Sequence, residues 1–355
     1  MEFFKGLKII ELASVLAGPA VGAFFAELGA EVLKIENKRT SGDVTRKWKL
    51  PSENPEATSA YYASVNWNKT VLFLDLDEPL DRKRLYDLLP DVDIVVSNFK
   101  PASAQKMGMD YETFKSYNPS IIFAQLTGFG EDSNLPAFDV VLQAEAGFLY
   151  MSGEPDRPPV KMPVALIDIL AAHQLKEGIL VGLIKRMQTG EGSYVSSSLF
   201  ESAVASLANQ ATNWLMAGHI PQPMGTGHPN IAPYGDIFYA KDDKPIVIAV
   251  GTDEQFRKLC DCLELPHLAT DNRFRTNHER VRNRIILVEF LRPGFNKYSR
   301  AALMDSLNQK GVPAGRVRNM EEVFEIPAAR QMILEETKED GTVCRSVRTI
   351  AFDLK

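Results

Sequence analysis

The chain has 355 residues, 45% of them apolar and 24% charged, with 40 basic and 46 acidic side chains giving a formal net charge of −6. Such a composition excludes a disordered or fibrous protein, and at roughly 150 residues per domain the length predicts about two domains. The acidic balance argues against a nucleic-acid groove, no apolar run approaches the roughly 18 residues of a membrane span, and Cys260, Cys262 and Cys344 cannot all pair within one chain, so a soluble protein of a reducing cytoplasm is expected.

Lys5 and Lys8 ahead of apolar residues give the start a look of a signal peptide, but Glu2 and Glu11 interrupt it. Residues 6–12 (GLKIIEL) read instead as a strand, followed by a helix over about 20–28 and a second strand in AEVLKIE, which together make a βαβ unit. Further strands are predicted at 70–76, 93–99 and 121–128, with helices at about 79–88, 101–107 and 111–116. That alternation predicts a largely parallel sheet covered by helices.

Asp168 is the only charged side chain between Lys161 and Lys176, and it lies inside the run PVALIDIL. An unpaired buried carboxylate is costly, so the chain must pair it or use it. The period changes here from extended to helical, and a long helix over 169–189 ends at Gly190-Glu191-Gly192. Asp168 therefore reads equally as the N-cap of that helix and as a reactive group. A strand (SYVSSSL) and a helix over about 200–217 follow. Gly, Pro and His then crowd the stretch 218–234, and residues 235–318 combine a hairpin-like pair with charged amphipathic helices, as expected of a smaller α+β domain.

Several common chemistries find no support. AGPAVG at 17–22 lacks the glycine triad of a dinucleotide fold, even though Glu36 ends the second strand where a ribose-binding acid would stand. The five histidines have no HExxH spacing, Cys260-x-Cys262 has no second pair, and no GxSxG elbow occurs, so neither a metal site nor a Ser-His-Asp hydrolase is expected.

Nine segments together do carry a resemblance: LASVLAGPAVGAFFAELGAEVLKIE (12–36), SGDVTR (41–46), 66–70, Asn98-Phe99-Lys100-Pro101, Lys106-Met107-Gly108, PVALIDIL, TGEGSYVSSSL, GHPNIAPY (227–234) and GVPAGRV (311–317). In this order they resemble the class III CoA-transferases, a family that includes formyl-CoA transferase, carnitine CoA-transferase and the α-methylacyl-CoA racemases. The resemblance implies a Rossmann-like large domain of residues 1–200 and 320–355, a linker at 201–224 and a small α+β domain at 225–319, in a ring-shaped subunit that interlocks with a second copy as a homodimer. It also implies coenzyme A as co-substrate, no tightly bound cofactor, and an acyl-CoA and a small carboxylic acid as ligands.

By the same resemblance Asp168 is the nucleophile that takes the acyl group and then CoA. Val15, Lys38, Arg39, Arg46, Leu74, Asn98, Phe99, Lys106 and Met107 would hold CoA, and Phe138, Asp139, Gln143, Gly225, Gly227 and His228 would face the substrate or form the loop over it. The racemases carry a histidine where this chain has Phe138, and a phenyl ring cannot move a proton. Glu254 falls near another acid of that branch, and the chain length is nearer the racemases, so a racemase or epimerase and a non-catalytic CoA-binding protein stay as alternatives to CoA transfer. The donor and acceptor acids are not readable from side-chain spacing.

Overall fold

A computed structural model describes residues 2–338 and 341–354. In chain order the elements are β1 (Lys8–Leu12), α1 (Ala17–Glu27), β2 (Glu31–Asn37), α2 (Ala60–Ala63), β3 (Thr70–Leu74), α3 (Pro79–Tyr86), β4 (Ile94–Ser97), α4 (Pro101–Met107), α5 (Tyr111–Tyr117), β5 (Ile122–Thr127), α6 (Asp139–Glu145), α7 (Phe148–Met151), α8 (Leu166–Thr189), β6 (Ser193–Ser198), α9 (Leu199–Ala205) and α10 (Ala208–Ala217). There follow β7 (Tyr234–Tyr239), β8 (Pro245–Ala249), α11 (Asp253–Cys262), α12 (Pro266–Thr270), α13 (Asn277–Arg282), α14 (Arg284–Phe295), α15 (Arg300–Gln309), β9 (Ala314–Arg316), α16 (Met320–Phe324), α17 (Pro327–Arg330), β10 (Ile333–Thr337) and β11 (Val343–Val347).

The chain divides into two compact units. The first comprises Met1–Ala146, Met162–Ala208 and Ala328–Lys355; the second comprises Gly147–Lys161 and Asn209–Pro327. Residues 147–161, which the sequence reading keeps in the large domain, thus group with the second unit.

In the first unit, among the described residues, β1–β6 form one six-stranded parallel sheet in the order β3-β2-β1-β4-β5-β6. Its central strands are buried on both faces, which is why β4 (IVVS) and β5 (IFAQLT) read as unbroken apolar runs rather than alternating ones. The order reverses between β1 and β4, and in open α/β sheets ligands bind beyond the C-terminal strand ends at such a point. Helix α8 packs on β5 and β6 and stops where Gly190 takes a left-handed backbone (φ 76°) that side chains resist. The hairpin β10–β11 belongs to this unit, and past it the Thr349 N–H donates to Glu27 Oε1 at 2.8 Å.

The second unit is built on the antiparallel sheet β7-β8-β9 with α11–α15 around it. Its core includes Phe238, Ile246, Ile248, Phe256, Leu287 and Phe295, with the Phe238 and Phe295 rings stacked at 4.2 Å. Cys260 and Cys262 are buried thiols in α11.

Two sequence expectations are corrected. The helix expected over 200–217 is broken at Ser206–Leu207 into α9 and α10. And α8 begins at Leu166 rather than 169, so Asp168 lies inside its first turn and is not its N-cap; Ala165 holds that position, with no side-chain cap.

Candidate active site

Two cavities open at the C-terminal edge of the parallel sheet. One, of about 430 Å³, lies beyond β1, β2 and β3 and is lined by Lys34, Glu36, Asn37, Asp43, Lys47, Leu74, Asp75, Phe99 and Met107 among others. The second, of about 160 Å³, lies between the residues that follow β1 and those that follow β4. Ser14, Val15, Asn98, Phe99, Phe138 and Asp168 are among its walls. Ser14 and Phe99 line both, so the cavities adjoin at the switch point between β1 and β4.

Asp168 is 8% exposed and reaches the second cavity as the third residue of α8. The free N–H groups at this helix start are taken by another helix: Asp139 Oδ1 accepts from the Ile167 N–H at 2.7 Å and the Asp168 N–H at 3.4 Å. Asp139 Oδ2 accepts from Gln143 Nε2 at 2.6 Å, and Gln143 Oε1 accepts from the Met162 N–H at 2.9 Å. Asp139 and Gln143, expected to face substrate, are therefore engaged in fixing the start of α8. Asp168 is left with a carboxylate that no capping bond occupies.

Burial, and second the neighbouring Asp139 carboxylate, push the Asp168 carboxyl up to about 7. The α8 N-terminus works in the opposite sense, since its aligned peptide dipoles favour negative charge in the first turn. A carboxylate of raised basicity, dry and aimed into a cavity, is a competent nucleophile toward an electrophilic carbonyl. Phe138 lines the same cavity with 55% of its surface exposed and offers no proton-transfer group.

Of the residues expected to hold CoA, Leu74 and Met107 line the first cavity, Val15 and Asn98 the second, and Phe99 both. Lys38, Arg39 and Arg46 are not among the lining residues of either cavity and are paired with acids. Lys38 reaches Asp81 at 2.6 Å, and Arg39 meets Asp75, Asp77 and Glu78. Arg46 forks onto Glu36 at 2.7 and 2.9 Å, donates to the Tyr62 hydroxyl at 2.6 Å and stacks on that ring at 3.9 Å. Lys106 is exposed at the end of α4. Glu36, the would-be ribose acid, is thus committed to Arg46, to the Tyr62 hydroxyl and to the Asp43 N–H.

Sequence reasoning missed Lys47, which lines the first cavity directly after the SGDVTR segment, and Tyr61. Burial first, then Asp168, Asp139 and Asp43, push the Tyr61 phenol up, so it keeps its proton among these carboxylates. Its ring rests edge-on against Trp48 at 5.1 Å.

Gly225, Gly227 and His228 belong to the second unit. Gly225 has a left-handed backbone (φ 60°) and its N–H donates to the Gly153 carbonyl at 2.7 Å. The residues after it are held: Arg284 donates to the carbonyls of His228 and Ile231 and pairs with Asp236 at 3.0 Å. Glu254 is exposed in the first turn of α11, paired with Lys258 at 2.8 Å. Among the described residues no group of three or more His, Cys, Asp or Glu is arranged to hold a metal ion, and no helix is long and apolar enough to cross a membrane.

Residues 4–354 match the family model described as CoA-transferase family III. A succinate–glutarate CoA-transferase of Agrobacterium fabrum is 36% identical over 97% of this chain and 88% of its own length. The human succinyl-CoA:glutarate CoA-transferase is 34% identical over 91% of this chain and 73% of its own. Among solved structures, a CaiB/BaiF family protein from Brucella suis superposes with a TM-score of 0.85 at 37% identity, covering 98% of this chain and 92% of that one.

Proposed function

The chain belongs to CoA-transferase family III and is a CoA-transferase, and from that premise we propose that it moves CoA between an acyl-CoA and a short dicarboxylic acid with Asp168 as the covalent nucleophile. The dicarboxylic class is supported by the relatives named for succinate or succinyl-CoA and glutarate.

The Asp168 carboxylate attacks the thioester carbonyl of the donor, the C–S bond breaks, and a mixed anhydride and CoA thiolate result. The thiolate then attacks the aspartyl carbonyl of the anhydride, expelling the donor as its carboxylate and leaving Asp168 as a CoA thioester. The acceptor carboxylate attacks this thioester, giving a second anhydride and CoA thiolate. Attack of the thiolate on the acceptor's carbonyl releases the new acyl-CoA and frees Asp168. Each step exchanges one activated acyl bond for another, and water takes no part.

The observation that carries this reading is the placement of Asp168: a buried carboxylate, spared from capping by Asp139, lines a cavity that shares Ser14 and Phe99 with a larger one at the ends of β1–β3. Incubating the protein with succinyl-CoA, quenching, and analysing the peptide containing Asp168 by mass spectrometry tests it. A CoA adduct on wild type that is absent from Asp168→Ala is expected. Its absence from wild type, together with deuterium exchange at the α-carbon of a chiral 2-methylacyl-CoA, would instead establish the racemase chemistry.

A further inference from the structure

The loop from β1 to α1 lies where the two cavities meet, and the side chains around it hold its backbone in an unusual conformation. The Ala13 carbonyl accepts from Lys34 Nζ at 2.6 Å, and Ser14 exchanges both backbone groups with the Asn98 amide at 3.3 and 2.9 Å. The Val15 N–H donates to Asp43 Oδ2 at 3.2 Å. Val15 has φ 72°, a left-handed conformation that a β-branched residue adopts only when its surroundings impose it.

The Val15 N–H is bonded into a buried chain of charges. Asp43 Oδ1 accepts from the Thr45 N–H and hydroxyl at 3.0 and 2.8 Å and, at 3.5 Å, shares the Val15 N–H, while Oδ2 takes the shorter Val15 bond and Lys34 at 3.1 Å. Lys34 continues to Glu11 at 2.9 Å, and Glu11 to Lys69 at 2.7 Å, with the Lys34, Glu11 and Lys69 side chains wholly shielded from solvent. Gly22 makes room for this: a Cβ there would lie 2.0 Å from Glu11 Oε2. Buried ion pairs stabilise a fold no better than a well-packed apolar core does, so stability is a weak reason for four charges beneath one loop.

We propose that Asp43 is a positioning residue for the transfer reaction: anchored by Lys34, it holds Val15 in its left-handed conformation and so shapes the cavity wall that presents the thioester to Asp168. The inference rests on the reading of Asp168 as nucleophile. Asp43→Asn keeps the shape but sets an amide N–H₂ against either Thr45 or the donors of Lys34 and Val15, and the clamp fails. Glycine adopts φ near 70° without steric cost, so Val15→Gly reduces the need for a clamp.

The test is a cycle of wild type, Asp43→Asn, Val15→Gly and the double variant, assayed with succinyl-CoA and glutarate and checked for the Asp168–CoA adduct and for thermal stability. Asp43→Asn is expected to lower kcat roughly 10–100-fold with KM for succinyl-CoA changed less than about threefold, and the double variant to regain most of that loss. A merely structural Asp43 would give an activity loss that follows the loss of folded protein and is the same whether valine or glycine stands at position 15. That result, or full activity in Asp43→Asn, overturns the inference. If Asp43→Asn does not fold, Thr45→Val loosens the same carboxylate by one hydrogen bond; a fall in kcat of about threefold or more, again reversed by Val15→Gly, is then expected. A wild type without the adduct sinks the assignment of Asp168 itself; an adduct without rescue by glycine sinks only the role of Asp43.

Discussion

Replacing Asp168 by Asn should make the protein more stable, by an amount that grows with pH between 3.8 and about 7. Below pH 3.8 the carboxyl is protonated in the folded and unfolded chains alike, so it contributes no difference. Between 3.8 and about 7 the unfolded chain ionises while the folded chain retains the proton, and stability falls steadily; above about 7 both are ionised and the loss stays constant. That gap, at 1.36 kcal/mol per pH unit, corresponds to about 4 kcal/mol at pH 8, shrinking to about 0.5 kcal/mol at pH 4. Asparagine fills the same space and never ionises, so the variant keeps what wild type loses. In melting temperature the gain at pH 8 is about 5 °C if the whole chain unfolds together, and more if the first unit unfolds alone. Thermal unfolding of both proteins, free of CoA, from pH 4 to 8.5 measures it. An Asn variant no more stable than wild type at pH 8, or an advantage that does not shrink toward pH 4, would refute the claim that the folded site holds this carboxylate against its solvation.

The same basicity should govern turnover: kcat/KM for succinyl-CoA is expected to rise with pH to a plateau with an apparent pKa near 7. Asp139→Asn, which removes the neighbouring charge but keeps an oxygen for the Ile167 N–H, should move that limb to lower pH. A flat profile from pH 5 to 8, or an unmoved limb in the variant, contradicts it. Lys38→Ala and Arg39→Ala are expected to raise KM for succinyl-CoA several-fold, on the order of 3–10, with little change in kcat, if these side chains leave their acids for the CoA phosphates; steady-state kinetics with unchanged KM would restrict them to their pairs with Asp81 and Asp75.

The parts of the fold that were legible in the sequence are those whose cause is local. Strands β4 and β5 are buried on both faces and announce themselves as apolar runs, Gly190 marks the end of α8, and the spacing of β1, α1 and β2 yields the βαβ unit. What was hidden depends on residues far apart in the chain. Nothing within SGDVTR says that Arg46 is spent on Glu36 and Tyr62, or that Lys38 faces Asp81, 43 residues on. The break between α9 and α10 falls in a stretch with no Gly or Pro at the junction, and helical propensity alone runs straight across it.

The start of α8 shows why this distinction matters for chemistry. Read locally, PVALIDIL offers one polar side chain for the helix start, and so Asp168 reads as its cap as readily as a reactive group. In the folded chain the cap arrives from Asp139, 28 residues before Ile167, held in turn by Gln143. A carboxylate that accepted its own helix's N–H groups would be stabilised as an anion, lowered in basicity and turned away from the cavity. By assigning that duty to Asp139, the fold leaves Asp168 with the favourable field of the helix end and none of its hydrogen bonds. Burial and the adjacent charge then raise its basicity to about 7. The two acids therefore divide the work: one fixes where the helix begins, and the other keeps a carboxylate that no capping bond occupies, facing the cavity.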